Sequence, residues 1–346
     1  MSPSVSARLL AWHKRHGRHE LPWQGTRDAY RIWVAEIMLQ QTQVAAVIPY
    51  YQRFLERFPD IAALAAAPQD EVLRLWSGLG YYSRARNLQR AAQLVAERHG
   101  AVFPRALEDI EALPGIGRST AAAISAFAYG TRAAILDGNV KRVLARHFAV
   151  AGFPGERRIE NRLWLLAEKL LPPHAIGSYT QAMMDLGATL CTRAKPRCAD
   201  CPLAHSCQAL ALGRVSEFPA PRPLRPVPTR ATNMLLLIRA GELLLEKRPP
   251  SGIWGGLWSL PEIDDAAHAR THCSRHYGCS IAAPQALAPL AHGFTHFKLQ
   301  IQPFLCPVEQ LAPRARAPGQ IWLKLEDAHG AAIPVPVRKL IERLLG

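Results

Sequence analysis

No apolar run in this 346-residue chain is long enough to cross a bilayer. The first twenty residues soon reach Trp12-His13-Lys14-Arg15-His16 and contain no signal-peptide core. A spanning or exported protein is therefore disfavoured, and the expected setting is cytoplasmic, nucleoid-associated if the source is bacterial. Acidic residues are scarce. Asp and Glu total 27 against 42 Lys and Arg, for a formal charge of +15. A polyanion such as nucleic acid is the first partner this implies, with an anionic membrane surface as rival. Cysteine is too uneven for a disulfide framework. Of seven, Cys191, Cys198, Cys201 and Cys207 crowd one short window, while Cys273, Cys279 and Cys306 are scattered. An odd, clustered set favours a metal site in a reducing compartment. There is no internal repeat.

The first 212 residues have little strand patterning. Trp33, Ile37 and Gln40 to Val44 lie in an apolar-rich helical stretch. Helical periodicity follows at 69–76, 84–99, 118–129, 138–147, 158–171 and 176–190. Between Phe218 and Pro228 five of eleven residues are proline, which rules out a helix or a central strand and reads as an extended linker. Beyond it, Asn233–Ile238 and Glu242–Glu246 form a hairpin signal. A helix near 265–277, strands at 297–305 and 320–325, and a final helix near 335–345 complete an α+β pattern. The expected organisation is a helical domain over 1–213, a linker over 214–230 and a second domain over 231–346.

Three groups of residues carry chemistry. The spacing Cys191-x6-Cys198-x2-Cys201-x5-Cys207 suits either a [4Fe-4S] cluster or a tetrahedral zinc in a loop spanning 191–207. Zinc sites with four cysteines usually bring two C-x2-C pairs, and here there is one, so an iron–sulfur cluster is favoured, with a structural role. Leu113-Pro114-Gly115-Ile116-Gly117 lies between two helical segments. Its glycines permit a tight turn, and the next helix aims its first amides at the same spot. That is a helix-hairpin-helix phosphate clamp, against the plainer reading of an interhelical turn. The third group is two carboxylates. Glu36 stands alone in an apolar run, where an inward-facing carboxyl is desolvated, raised in pKa and fit to act as an acid. The plainer reading is a wet helix face. Asp137 precedes a basic helix, as an N-cap or as a carboxylate near developing positive charge. Together they suit cleavage of a glycosidic bond to a base flipped from a duplex.

Leu39-Gln-Gln-Thr-Gln-Val44, Gly78-Leu-Gly-Tyr-Tyr-Ser-Arg-Ala-Arg86, Leu113–Gly117, Ile135-Leu-Asp-Gly-Asn-Val-Lys-Arg142 and the four cysteines occur in that order. In this the chain resembles the adenine DNA glycosylases, the MutY branch of the endonuclease III superfamily, along essentially its whole length. The resemblance implies an all-α helix-hairpin-helix glycosylase domain with a [4Fe-4S] loop and a C-terminal α+β Nudix-like domain. It implies excision of adenine opposite 8-oxoguanine or guanine in double-stranded DNA, in base excision repair. Glu36 matches the acid that protonates adenine N7. Asp137 matches the aspartate that stabilises the sugar cation, with Asn139 beside it. Gln41 and Tyr81 match residues that wedge into the base stack, and Leu113, Gly115 and Gly117 the phosphate hairpin. Lys141 matches a lysine that can be trapped on abasic product. Trp23, Gln24 and Asp185 are candidates for the adenine pocket.

Ser119 stands where endonuclease III relatives carry a catalytic lysine. A hydroxyl cannot form a Schiff base, so a monofunctional glycosylase is expected. Gly256–Glu262 has the G-x5-E start of a Nudix motif, but the following Arg270–Arg275 lacks the carboxylates that magnesium needs. Pyrophosphohydrolase chemistry is therefore expected to be lost, and Phe294-Thr295-His296 match the family's 8-oxoguanine-reading loop, with Thr where relatives often carry Ser. Three other readings compete: a bifunctional pyrimidine glycosylase/lyase, a non-catalytic damage-binding protein, and an active nucleotide pyrophosphohydrolase. A monomer is the default expectation.

Overall fold

The computed structural model describes residues 4–223, 226–312 and 317–346. The chain divides into two compact units, one of Met1–Ala66 with Asn87–Leu224 and one of Ala67–Arg86 with Arg225–Gly346. Leu224 and Arg225, inside the expected linker, lie outside the described residues.

The first unit is helical: α1 (Val5–His16), α2 (Ala29–Leu39), α3 (Val44–Arg57) and α4 (Ile61–Ala66) open it. After α5 (Gln69–Trp76), which belongs to the second unit, come α6 (Ser83–His99), α7 (Leu107–Glu111), α8 (Arg118–Tyr129), α9 (Gly138–His147), α10 (Arg157–Leu170), α11 (Ile176–Asp185) and α12 (Gln208–Ala211). Helix α2 is apolar nearly all round, and such a helix belongs in a core. Its Ile32, Trp33, Val34, Ala35, Ile37 and Met38 are all buried. Asp28 caps it by accepting from the Tyr30 and Arg31 amides. It packs against α8, whose Ala121, Ala122 and Ala123 let the two axes approach closely. A second buried cluster joins α1, α9, α10 and α11. The expected helix over 176–190 is α11 continued by a π-helical turn, Leu186–Leu190. The reason is local. Gly187 lies against α9, where an added Cβ would fall 2.6 Å from Asn139 Cβ, and the wider turn accommodates that approach.

The second unit is a mixed sheet centred on a parallel pair, β1 (Thr229–Arg239) with the long strand Lys298–Leu311. Between them in sequence come β2 (Glu242–Lys247), β3 (Trp258–Ser259), β4 (Glu262–Ile263), helix α13 (Ala269–Tyr277), β5 (Cys279–Ile281), β6 (Gln285–Ala286) and β7 (Leu290–Gly293). The long strand is then β8, followed by β9 (Gln320–Lys324), α14 (Leu325–Gly330) and α15 (Val335–Leu345). The hairpin, the α13 helix and the final helix are as the pattern predicts. Strand β8 runs six residues past its expected end at 305, through Pro307. Proline lacks a donor, but its carbonyl still accepts from Ala282 at 2.9 Å, and the register with β5 shifts just beyond it, between Val308 and Gln310. Cys273, Cys279 and Cys306 are free thiols in this core. Among the described residues no helix is long and apolar enough to cross a membrane.

Candidate active site

Glu36 is the one carboxylate of α2. It lines two cavities of the helical unit, of about 790 Å³ and 440 Å³. Packed among apolar neighbours, its carboxyl is pushed up to about 8, chiefly by desolvation and secondarily by the charge of Asp137. It is therefore protonated at neutral pH, a state from which it can donate.

Asp137 and Asn139 line the larger cavity. Asp137 Oδ1 caps α9 by accepting from the Val140 amide at 2.8 Å, while Oδ2 meets Asn139 Nδ2 at 3.4 Å. One Asp137 oxygen thus caps the helix while the side chain also lines the cavity. Burial pushes its carboxyl up, opposed by the Val140 amide, Arg142 and Asn139, and the balance stays above the ordinary value. Ser119 lines the same cavity, and its hydroxyl accepts from the Leu136 amide at 2.9 Å, tying α8 to the segment that carries Asp137.

The hairpin from Leu113 to Gly117 joins α7 to α8. Gly115 has φ +82°, and a Cβ there would lie 2.9 Å from Asn87 Cβ, so both conformation and space require glycine. Leu113 and Ile116 are buried, leaving Gly115 and Gly117 exposed. Gln40 Nε2 reaches the Gly115 carbonyl and Thr120 Oγ1, each at 3.4 Å. Gln41, next along, is exposed and left-handed at φ +58°. Tyr81, in the second unit, is likewise left-handed at φ +50° and 43% exposed. Strained non-glycine backbone of this kind persists where surrounding structure imposes it and collects at functional sites.

Trp23 and Gln24 line the smaller cavity with Glu36. Asp185 does not line either one. It is fully buried and binds Arg18, which lines both: Arg18 Nε donates to Asp185 Oδ1 at 2.7 Å and the Arg18 amide to Oδ2 at 2.8 Å. Gln181 also donates to Oδ1, at 2.9 Å. Burial pushes this carboxyl up, but His13, Arg18 and Gln181 outweigh it and hold it below its usual range. Lys141 also stands apart from the cavities, its amine ion-paired to Glu160 at 2.6 Å. The cation of α9 that lines the cavity is Arg142, whose guanidinium donates to Asn139 Oδ1 at 2.8 Å, the Gly187 carbonyl at 2.6 Å and the Cys191 carbonyl at 2.7 Å. Sequence reasoning missed Arg18, Arg142 and Gln181. The neighbouring Asp-Gly-Asn signal offered a route to Arg142 alone.

Cys191, Cys198, Cys201 and Cys207 line one small cavity with Arg146. Arg146 Nη1 lies 3.4 Å from Cys191 Sγ, and the Cys207 thiol faces the Arg146 carbonyl at 3.5 Å. Desolvation, then mutual repulsion among thiolates, pushes Cys198 and Cys201 up. Cys198 and Cys201 are therefore thiols on their own, and all four become thiolates together only with a cationic group between them. Among the described residues no three His, Cys, Asp or Glu side chains are arranged to hold a single metal ion.

In the second unit, Phe294, Thr295 and His296 line a cavity of about 660 Å³ together with Tyr81 and Arg86. The turn closes by Phe294 N–H to Phe297 O at 2.9 Å and leaves Thr295 and His296 exposed. Helix α13 carries no carboxylate, and Glu262 is ion-paired to Arg248.

This assembly of a hairpin, a half-buried protonated carboxyl and a second carboxylate at a helix start is that of a helix-hairpin-helix DNA glycosylase. Residues 34–169 match the HhH-GPD superfamily base excision DNA repair protein family, and residues 233–343 match the NUDIX domain. An adenine DNA glycosylase of Buchnera aphidicola (from Acyrthosiphon pisum) is 35% identical over 96% of this chain and 95% of its own length. The human adenine DNA glycosylase is 33% identical over 96% of this chain and 72% of its own. A solved thermostable thymine-DNA glycosylase superposes on 60% of this chain and 95% of its own, with TM-score 0.55 and 30% identity. The chain belongs to the adenine DNA glycosylase family.

Proposed function

We propose that this glycosylase is monofunctional and excises adenine opposite 8-oxoguanine, or guanine, in duplex DNA. The observation that carries this reading is Glu36, a carboxyl held protonated at neutral pH on the wall shared by two cavities, with Asp137 in the larger. The smaller cavity, walled by Trp23 and Gln24, receives the flipped adenine. Glu36 protonates its N7, so the base leaves neutral. Asp137, hydrogen-bonded by the Val140 amide and Asn139, stabilises the oxocarbenium-like sugar until water completes hydrolysis. Arg18 and Arg142 supply positive charge around the cavity. Ser119 offers no amine, so the sugar is released as an abasic site. Gly115 and Gly117, exposed in the hairpin that buried Leu113 anchors, present backbone amides to phosphate, Gln41 and Tyr81 wedge the stack, and Lys141 on α9 meets the backbone.

Cys191, Cys198, Cys201 and Cys207 hold a [4Fe-4S] cluster, which supplies structure and no step of the chemistry. The gathering of all four cysteines round one small cavity supports that assignment. Four irons with matching sulfide per chain are expected, and a single zinc would contradict it. The C-terminal domain, begun near residue 231 after the linker of 214–230, reads 8-oxoguanine through Phe294-Thr295-His296 and hydrolyses no nucleotide. The protein works as a monomer in the cytoplasm or nucleoid.

The direct test is a duplex with adenine opposite 8-oxoguanine, analysed with and without alkali. Strand breaks only after alkali are expected. Breaks without alkali would assign lyase activity, with Lys141 the first candidate amine. Tight binding with no release would leave a damage-binding protein.

A further inference from the structure

The residues that hold the Phe294–His296 turn extend well beyond the turn itself. Phe297, buried at its base, stacks on Phe294 with centroids 4.4 Å apart at 20°. Arg230 covers the other ring of this pair at 4.7 Å. His292 meets Phe294 edge-on at 4.7 Å, and Trp254 packs against both Phe294, at 5.5 Å, and His292, at 5.9 Å.

Trp254 is held unusually. It is buried, yet its backbone is left-handed at φ +55°, in a loop where Gly252 and Gly256 take the other positive φ values. A tryptophan in that conformation is strained, and strain survives only where the surroundings enforce it. Arg248 enforces it here. Its guanidinium lies 5.8 Å over the indole, its Nε donates to the Ile253 carbonyl at 3.2 Å, and it is ion-paired to Glu262. The acidic residue of the G-x5-E motif thus braces an arginine.

We propose that Trp254 is a positioning residue for lesion discrimination. Braced by the Arg248–Glu262 pair, it fixes Phe294 and His292, and through them the Thr295 hydroxyl, in the orientation that separates 8-oxoguanine from guanine. This rests on the lesion-reading role of the turn.

The test is single-turnover base release from adenine:8-oxoguanine and adenine:guanine duplexes by full-length protein, with the ratio of the two rates as readout. Misfolding lowers both rates alike and leaves the ratio untouched. Trp254→Ala and Trp254→Gly are expected to lower the ratio by about three- to tenfold, the range one hydrogen bond commands. Trp254→Phe, which keeps a ring, is expected to restore most of it. The glycine variant relieves the left-handed backbone and so keeps the fold in play. Thr295→Ala is the control. A ratio lowered by Thr295→Ala but unmoved by Trp254→Ala and Trp254→Gly would overturn the positioning role. A ratio unmoved by Thr295→Ala as well would overturn the lesion-reading turn itself.

Discussion

Glu36→Gln is expected to lower adenine release by roughly 10²–10⁴-fold, the range of a positioned general acid, while duplex binding stays nearly intact. Glutamine keeps the shape of the side chain and removes the proton that must pass to the leaving base. Glu36 lines the cavities and is not part of the Leu113–Gly117 hairpin, so affinity has no reason to follow. The pH dependence has a fixed sign. The acid works only when protonated, so release by the unaltered enzyme persists through neutral pH and falls as pH rises through about 8. Stability moves the same way. The folded state keeps its proton up to about 8, whereas an ordinary carboxyl in the unfolded chain loses it near 4.5. Stability is therefore lost progressively from pH 4.5 to about 8 and is flat beyond. Denaturant midpoints of Glu36→Gln and the parent should converge at acid pH and diverge in favour of glutamine above neutral. Equal midpoints at pH 8 would place Glu36 in water. Normal turnover by the variant would remove it as the acid.

Asp137→Asn is the second large effect, and its interest lies in what it spares. Asparagine is as good an N-cap as aspartate, and its oxygen can still accept from the Val140 amide. Helix α9 should therefore form, and thermal unfolding should shift little. Catalysis loses its negative charge beside the sugar, a loss expected to lower release by at least about 10²–10³-fold, as for other preorganised transition-state partners. Asp137→Ala removes both functions and should lose stability as well, about 1 kcal/mol for the cap alone. If Asn and Ala lower activity only in proportion to folded protein, Asp137 is a helix cap and nothing more.

Much of this was legible in the sequence because the signals were local. The periodicity of 118–129 and 138–147 gave α8 and α9 to the residue, and the glycines of 115 and 117 marked the hairpin. Glu36 stood out because nothing else in its helix was acidic. The missing parts join residues far apart. Arg18 and Asp185 are 167 positions apart, and no window pairs them. Asp185 was expected in the base pocket, and it lies one layer behind, hydrogen-bonded to Arg18. Ala67–Arg86 groups with the C-terminal unit, placing Tyr81 in one cavity with Phe294 to His296. Periodicity shows that α5 is a helix and says nothing of the surface it covers. The strained Trp254 was also invisible, since backbone sign is written in sequence only when glycine or asparagine carries it.

The identity of the free base is the most direct measurement. The protein is incubated with three duplexes, adenine opposite 8-oxoguanine, adenine opposite guanine, and thymine opposite guanine, and the released base is identified by mass. Adenine from the first two, faster from the 8-oxoguanine duplex, is the predicted result. Thymine release, or no free base from a bound adenine:8-oxoguanine duplex, would contradict adenine excision by Glu36 and Asp137.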